Sequence, residues 1–326
     1  LPLRTTDGIG SARRDRLRHH GEVYDLFGIH IVNMLLTIVT IGIYRFWAKT
    51  RIRRYLWSQT SFLGDRFEYT GTGKELLLGF AIVMVFLIIF FGIYTALFSW
   101  IWPEWLNDQG LQTLYNAPIF VLSVVIVGMA RFRARRYRLS RTLWRGIRGA
   151  QTGSSVQYGL RELGFWVLTL LTFGFYLPYM STRLAAYKFN NTWFGDRRIE
   201  FNATGDRLLG VFAICWLLTL PTLGLCWIWY RAAALRYYAS CVRYGDLGFE
   251  FDVDGWSLFL LVIPNMLLTS FTMGLAYPYV LIRTTNFMCD RLILIGDQDF
   301  ALIAQSLKPR PTTGEGLAEA FDVGDF

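Results

Sequence analysis

Leu36-Thr37-Ile38-Val39-Thr40-Ile41-Gly42 is the stretch whose repetition decides the fold. It returns as Leu168-Thr169-Leu170-Leu171-Thr172-Phe173-Gly174 and as Leu218-Thr219-Leu220-Pro221-Thr222-Leu223-Gly224. A last copy reads Leu268-Thr269-Ser270-Phe271-Thr272-Met273-Gly274. The glycines at 174, 224 and 274 are 50 residues apart. Four copies of Leu-Thr-x-x-Thr-x-Gly in register mark a chain built from internal repeats.

The material around the repeats is apolar and aromatic. The 326 residues are 53% hydrophobic and 17% charged, with 26 Phe, 17 Tyr and 12 Trp, a balance that suits a bilayer better than a soluble domain. The formal charge of +9 could suggest nucleic acid as a partner. Its placement argues against that, because Lys and Arg gather at the ends of long uncharged runs, as cytoplasmic flanks of membrane segments do. Cys215, Cys226, Cys241 and Cys289 form no C-x-x-C pair and read as inert thiols.

The pattern predicts an all-α polytopic integral membrane protein built from about five internal helical-hairpin repeats, with short cytoplasmic strand segments between them. Residues 1–20, ending in Arg13-Arg14-Asp15-Arg16-Leu17-Arg18-His19-His20, read as a basic disordered tail without a signal-peptide pattern. Residues 21–305 form the repeat-built transmembrane domain, in units of about 22–73, 74–160, 161–205, 206–255 and 256–300. Residues 306–326 read as a disordered acidic tail. Leu76–Trp102 is uncharged throughout and long enough to cross a bilayer. Pro103–Ala117 carries Glu104 and Asp108 without Lys or Arg, as an extracytoplasmic loop would. Arg131-Phe132-x-Ala134-Arg135 echoes Arg45-Phe46-x-Ala48-Lys49, which makes this pair a degenerate unit whose turn became a loop. Glycine-bounded segments such as Gly64-Asp65-Arg66-Phe67-Glu68-Tyr69 alternate with period two and read as strands or hairpins.

Two topologies compete. Six full spans would leave the basic connector 183–207 outside, against the positive-inside rule. Hairpins that turn at each glycine keep every basic connector and both termini cytoplasmic. Their first arms, at about 13 residues, would reach roughly 20 Å, short of a span of about 30 Å. Hairpins, some of them re-entrant, fit the charge pattern better.

Val32-Asn33-Met34-Leu35-Leu36-Thr37, the phrase through Gly42 and Tyr44, Arg53-Arg54-Tyr55-Leu56, and Arg66-Phe67-Glu68-Tyr69 before Gly71 resemble the YjgN family of bacterial inner-membrane proteins. The resemblance is densest over residues 22–80 and thins out toward residue 300. It implies a bacterial inner-membrane location and a repeated helical fold, and brings no catalytic residues.

Candidate pore or hairpin-turn residues are Thr37, Thr40, Gly42, Thr169, Thr172, Gly174, Thr219, Thr222, Gly224, Thr269, Thr272 and Gly274. The plain account is threonines bonding back to their own helices and glycines allowing turns or close approach. The sharper one is irregular backbone around a wet cavity. Lys49, Arg51, Arg53, Arg54, Arg131, Arg135, Arg183 and Arg283 suit the membrane interface, facing anionic headgroups at the cytoplasmic face. With His19, His20 and His30 as the only histidines, no metal site, cofactor or catalytic triad is expected, nor an enzyme. The sequence therefore predicts a channel- or transporter-like permeation role for a small solute or ion. The alternative is a membrane-organising or lipid-interacting structural protein without transport. The lipid bilayer is the expected partner and nucleic acid is not.

Overall fold

The computed structural model describes residues 13–296 and Phe300, so the expected acidic tail at 306–326 lies outside the described residues. Two short strands come first, β1 (Arg14–Arg16) and β2 (Arg18–His19). Then helical pairs and strands alternate. Helices α1 (Val23–Val39) and α2 (Arg45–Ser58) lead into β3 (Thr60–Phe62) and β4 (Asp65–Tyr69). Helices α3 (Gly73–Ile101) and α4 (Gln109–Arg141) lead into β5 (Thr142–Trp144) and β6 (Ile147–Gln151). Next come α5 (Ser155–Leu171), α6 (Leu177–Asn190), β7 (Thr192–Phe194), β8 (Arg197–Arg198) and β9 (Glu200–Phe201). They are followed by α7 (Asp206–Leu218), α8 (Cys226–Ser240), β10 (Val242–Tyr244) and β11 (Leu247–Phe251). Last are α9 (Gly255–Phe271), α10 (Tyr277–Arg291) and β12 (Leu292–Ile295).

The fold is mostly helical but not all-α, because its strands assemble instead of remaining separate. Two antiparallel sheets form, in the orders β1-β12-β11-β10-β9 and β2-β3-β4-β5-β6-β7-β8. They join twice. At Leu17 the strand that pairs with β12 as β1 continues as β2 against β3. At Ile199 the strand that pairs with β7 as β8 continues as β9 against β10. The sheets therefore close into a ring, which leaves few of the open edges that invite aggregation. Residues 14–19 are thus part of the ring, not of a disordered tail. The ladder Arg14↔Ile295, Asp15↔Leu294 and Arg16↔Ile293 gives this charged segment its partners from the far end of the chain.

Local chemistry sets the turns. Leu63-Gly64 and Arg145-Gly146 both take positive φ at two successive residues, the two-residue hairpin geometry that matches strand twist. Helix starts are capped by Thr72, Asp108 and Ser154, and Asp254 forms a capping box with Ser257. The cap at Asp108 starts α4 at Gln109, so the expected loop 103–117 shrinks to Trp102–Asp108. A tyrosine on the second helix pins the start of the first in three units. Tyr55 Oη accepts from the Glu22 amide, Tyr187 Oη from the Ser154 amide and Tyr237 Oη from the Thr204 amide.

Strand register also corrects the alignment of α4. Thr142 opens its strand as Thr60 does, which places Arg135-Arg136-Tyr137 opposite Arg53-Arg54-Tyr55. The Arg-Phe-x-Ala echo seen in the sequence is one helical turn out of that register. By length and composition, α3 and α4 alone among the described helices are long and apolar enough to cross a membrane. Their outer ends lock through Tyr115, whose carbonyl accepts from Tyr94 at 2.9 Å and whose ring stacks on Trp105 at 4.4 Å.

Candidate functional site

The repeated threonines and glycines build four turns of one design. In each, the glycine amide reaches back to the carbonyl of the first threonine, at 2.7 Å for Gly42 to Thr37 and 2.8 Å for Gly174 to Thr169, Gly224 to Thr219 and Gly274 to Thr269. Ile41, Phe173, Leu223 and Met273 adopt φ near +50° before glycines at +82° to +93°, the left-handed closure of a helix end. The first arms run 17, 17, 13 and 17 residues, three of them longer than the apolar runs suggested, because those helices start in the polar connector.

The hydroxyls are occupied locally. Thr37, Thr169, Thr219 and Thr269 donate to carbonyls four residues back, and so do Thr40, Thr172, Thr222 and Thr272. The second threonine of each turn also accepts the amide of Tyr44, Tyr176, Cys226 or Ala276, which caps the following helix. The glycine carbonyls accept amides of Arg45, Leu177, Trp227 and Tyr277. A Thr172→Val variant should therefore lose a helix cap worth about 1 kcal/mol. The check is thermal unfolding in detergent followed by circular dichroism; an unchanged midpoint would refute the capping role.

The basic residues anchor elements to one another. Arg53 donates to Tyr69 Oη at 3.4 Å and Arg54 to the Gly71 carbonyl at 3.3 Å. Arg135 donates to Thr192 Oγ1 at 2.8 Å and to the Lys188 carbonyl at 3.1 Å. Arg283 bonds Asn265 Oδ1 and the Leu260 carbonyl, and Arg183 stands over the Phe165 ring. Arg51 lines an open cleft at the foot of α2 and α3, while Lys49 is half-buried on α2.

Inside the β ring the core is apolar. Phe62, Trp144, Phe194, Tyr244 and Leu294 come from five separate strands, and Phe300 packs on Phe62 and Trp144. They surround a cavity of about 290 Å³. Its polar atoms are satisfied, with Tyr244 Oη donating to the Phe194 carbonyl at 3.0 Å and Trp144 Nε1 to that of Phe62. Burial pushes the Tyr244 phenol up to about 12.

A second space, of about 730 Å³, lies between α4, α5, α6 and α8. Arg131, Lys188 and Arg231 line it with one carboxylate, Glu162, and the hydroxyls of Ser181 and Tyr238. Arg131 and Arg231 hold the place before their strands that Lys49 holds before Thr60, and Ser181 is the counterpart before Thr192. Arg131 Nη1 meets Glu162 Oε1 at 2.6 Å. This contact depends on a close helix crossing, where a Cβ on Gly159 would lie 2.5 Å from the Val125 carbonyl oxygen. Sequence reasoning missed the ion pair because Glu162 stands one residue before the apolar run at Leu163. Gly128 and Gly159 were the available signal for the crossing. Among the described residues no group of His, Cys, Asp and Glu is placed to hold a metal ion, and all four cysteines are free, with Cys241 half-buried and the others buried.

Residues 14–228 and 205–320 match the family model described as "Bacterial protein of unknown function (DUF898)". The chain is 27% identical over 159 residues to a protein of Escherichia coli named Inner membrane protein YjgN, covering 49% of this chain and 33% of that one. A protein of the same name from Salmonella typhimurium is 28% identical over 109 residues, covering 29% of this chain and 28% of that one. The chain thus spans about a third of the length of these curated relatives. No solved structure matches it.

Proposed function

The chain belongs to the DUF898 family of bacterial proteins of unknown function, and from that premise we propose that it is a lipid-engaging inner-membrane protein rather than a pore. Two similar proteins are named inner membrane proteins, which supports the same location for this one. In this reading the β ring and the basic helix ends lie in the cytoplasm, with both termini. The α3–α4 hairpin crosses the whole bilayer and carries Glu104 and Asp108 to the far side. The other four hairpins dip into one leaflet.

One observation carries the proposal: the tips of the four turns are apolar and almost fully exposed. Ile41, Phe173, Leu223 and Met273 are 85–95% exposed, which is costly in water and natural in lipid. On α1, beyond Tyr24 and Phe27 near its start, the exposed apolar side chains run from Val32 to the turn, roughly 12–15 Å of helix, or one leaflet. On α3 they run from Leu78 to Ile101, long enough for both leaflets. The permeation alternative would need free hydroxyls and a wet axis. The threonine hydroxyls bond within their own turns, and the cavity in the β ring is lined by apolar and aromatic side chains.

Replacing Ile41, Phe173, Leu223 and Met273 by Asp should expel the short hairpins from the bilayer, at a cost on the order of 2.5–3.5 kcal/mol per charge at full depth. The α3–α4 anchor should still hold the protein in the membrane. A nitrobenzofurazan dye on Met273→Cys, in a Cys241→Ser background, tests depth in liposomes. Quenching by nitroxides on lipid acyl chains is expected. Quenching by aqueous iodide instead, or ion flux well above that of empty liposomes, would overturn the proposal.

A further inference from the structure

The cavity between α4, α5, α6 and α8 differs from the rest of the helical layer, because it gathers charge against an apolar wall. Arg131, Lys188 and Arg231 face one carboxylate, Glu162, so its lining is net positive. Glu162 is engaged by Arg131 at 2.6 Å. Arg231 makes no hydrogen bond or ion pair among the described residues and is exposed to the cavity. Ser181 Oγ, which donates to the Pro178 carbonyl, and Tyr238 Oη lie 3.0 Å apart beside it. Leu177, Met180, Leu184 and Leu235 supply the apolar wall.

The polarity runs along the helices. Leu177 and Met180 stand just after the α5–α6 turn, at the end proposed to lie in lipid. Lys188 and Tyr238 stand near the other ends of α6 and α8, beside the β ring. Arg231 and Ser181 lie between these two levels, so an occupant places its anion from the middle of the cavity to its ring side and its apolar body toward the turn. At about 730 Å³ the space far exceeds a phosphate ion and suits part of an amphiphile.

We propose that this cavity binds a single acidic phospholipid, its phosphate held by Arg231 and Arg131 with Lys188 on the ring side, and one acyl chain laid along Leu177 and Met180 toward the turn. Guanidinium and ammonium groups together suit a phosphodiester, since arginine offers a planar fork and lysine a mobile point charge. The Tyr238 hydroxyl, by turning from Ser181, would complete the headgroup contacts. The inference rests on the leaflet insertion proposed above, and gives that insertion a specific lipid.

Native mass spectrometry of the full chain in a non-ionic detergent tests it. Phosphatidylglycerol, phosphatidylethanolamine, glycerol 3-phosphate and inorganic phosphate are titrated separately. One phosphatidylglycerol per chain should bind at least tenfold more tightly than phosphatidylethanolamine, and the two soluble anions should bind far more weakly. Arg231→Gln with Lys188→Gln should lose at least tenfold for phosphatidylglycerol, Arg231→Lys should recover part of it, and melting should be unchanged. Equal affinity of wild type and double variant would overturn the proposal, as would soluble phosphate binding as tightly as the lipid. The Met273 dye assay run on the double variant separates the two ideas. Lost lipid selectivity with normal depth supports the cavity, whereas aqueous quenching in the wild type already fails the insertion reading.

Discussion

A chain from which residues 13–19 are removed is expected to lose ring closure and to aggregate or pair edge to edge. That segment supplies three residue pairs to β12 and two to β3. Each backbone hydrogen bond contributes about 0.5–1.5 kcal/mol net, so the combined loss approaches the 5–15 kcal/mol that holds a typical domain together. Its removal also bares Phe62 and Leu294, which pack around Leu17. The measurement is size-exclusion chromatography with light scattering, beside hydrogen exchange on β3 and β12. Lost basic charge at a membrane terminus is a rival explanation, since Lys and Arg help set orientation. Replacing Arg14, Arg16 and Arg18 together by Gln keeps the backbone ladder and removes the charge. That variant should remain monodisperse, and behaviour like the truncation would sink ring closure as the cause.

The same segment shows where the sequence stops being legible. The four turns could be read from Leu-Thr-x-x-Thr-x-Gly because their hydrogen bonds are local: the glycine amide, the left-handed residue before it and the second threonine all lie within a few positions. The hairpins between units were visible for the same reason, in short alternations beside Leu63-Gly64 or Gly195-Asp196. Their closure was not, because Asp15 finds Leu294 across nearly the whole chain and no local pattern encodes such a pairing. Arg13 to His20 looks like a tail because Leu17 is its single apolar residue, leaving no hydrophobic periodicity to detect. The α4 register failed for a related reason. A helical face repeats every three to four residues, so a one-turn slip still matches charge to charge, and only the strand start at Thr142 fixes it.

The cationic cavity was partly legible. Lys49, Arg131 and Arg135 stood out as basic residues flanking apolar runs, and the interface was the evident place for them. The structure turns part of this set inward. Arg135 ties α4 to the start of β7, and Arg131 meets a carboxylate that is only 2% exposed. A buried ion pair contributes little to stability by itself, because desolvation offsets attraction. Its steep dependence on geometry nevertheless makes it a sensitive reporter of the α4–α5 crossing.

Gly159→Leu is accordingly expected to be among the most damaging single substitutions. A Cβ there would meet the Val125 carbonyl oxygen at 2.5 Å, and backbone cannot swing aside as a flexible side chain can. Overpacking of this kind costs roughly 1–3 kcal/mol, and the larger leucine should force α4 and α5 apart altogether. The ion pair then distinguishes simple crowding from loss of the crossing. Arg131→Gln leaves a buried carboxylate without its guanidinium, a change worth on the order of 3–5 kcal/mol at fully buried pairs and less here. Glu162→Gln should cost clearly less, because the Arg131 side chain, 38% exposed, can turn toward water. In the Gly159→Leu background, where the helices no longer meet, Arg131→Gln should add almost nothing further. Unfolding midpoints of the three single variants and the Gly159→Leu/Arg131→Gln double variant, measured in one detergent, give the comparison. Equal costs for Arg131→Gln and Glu162→Gln, or full additivity in the double variant, would show that the crossing does not hold the pair.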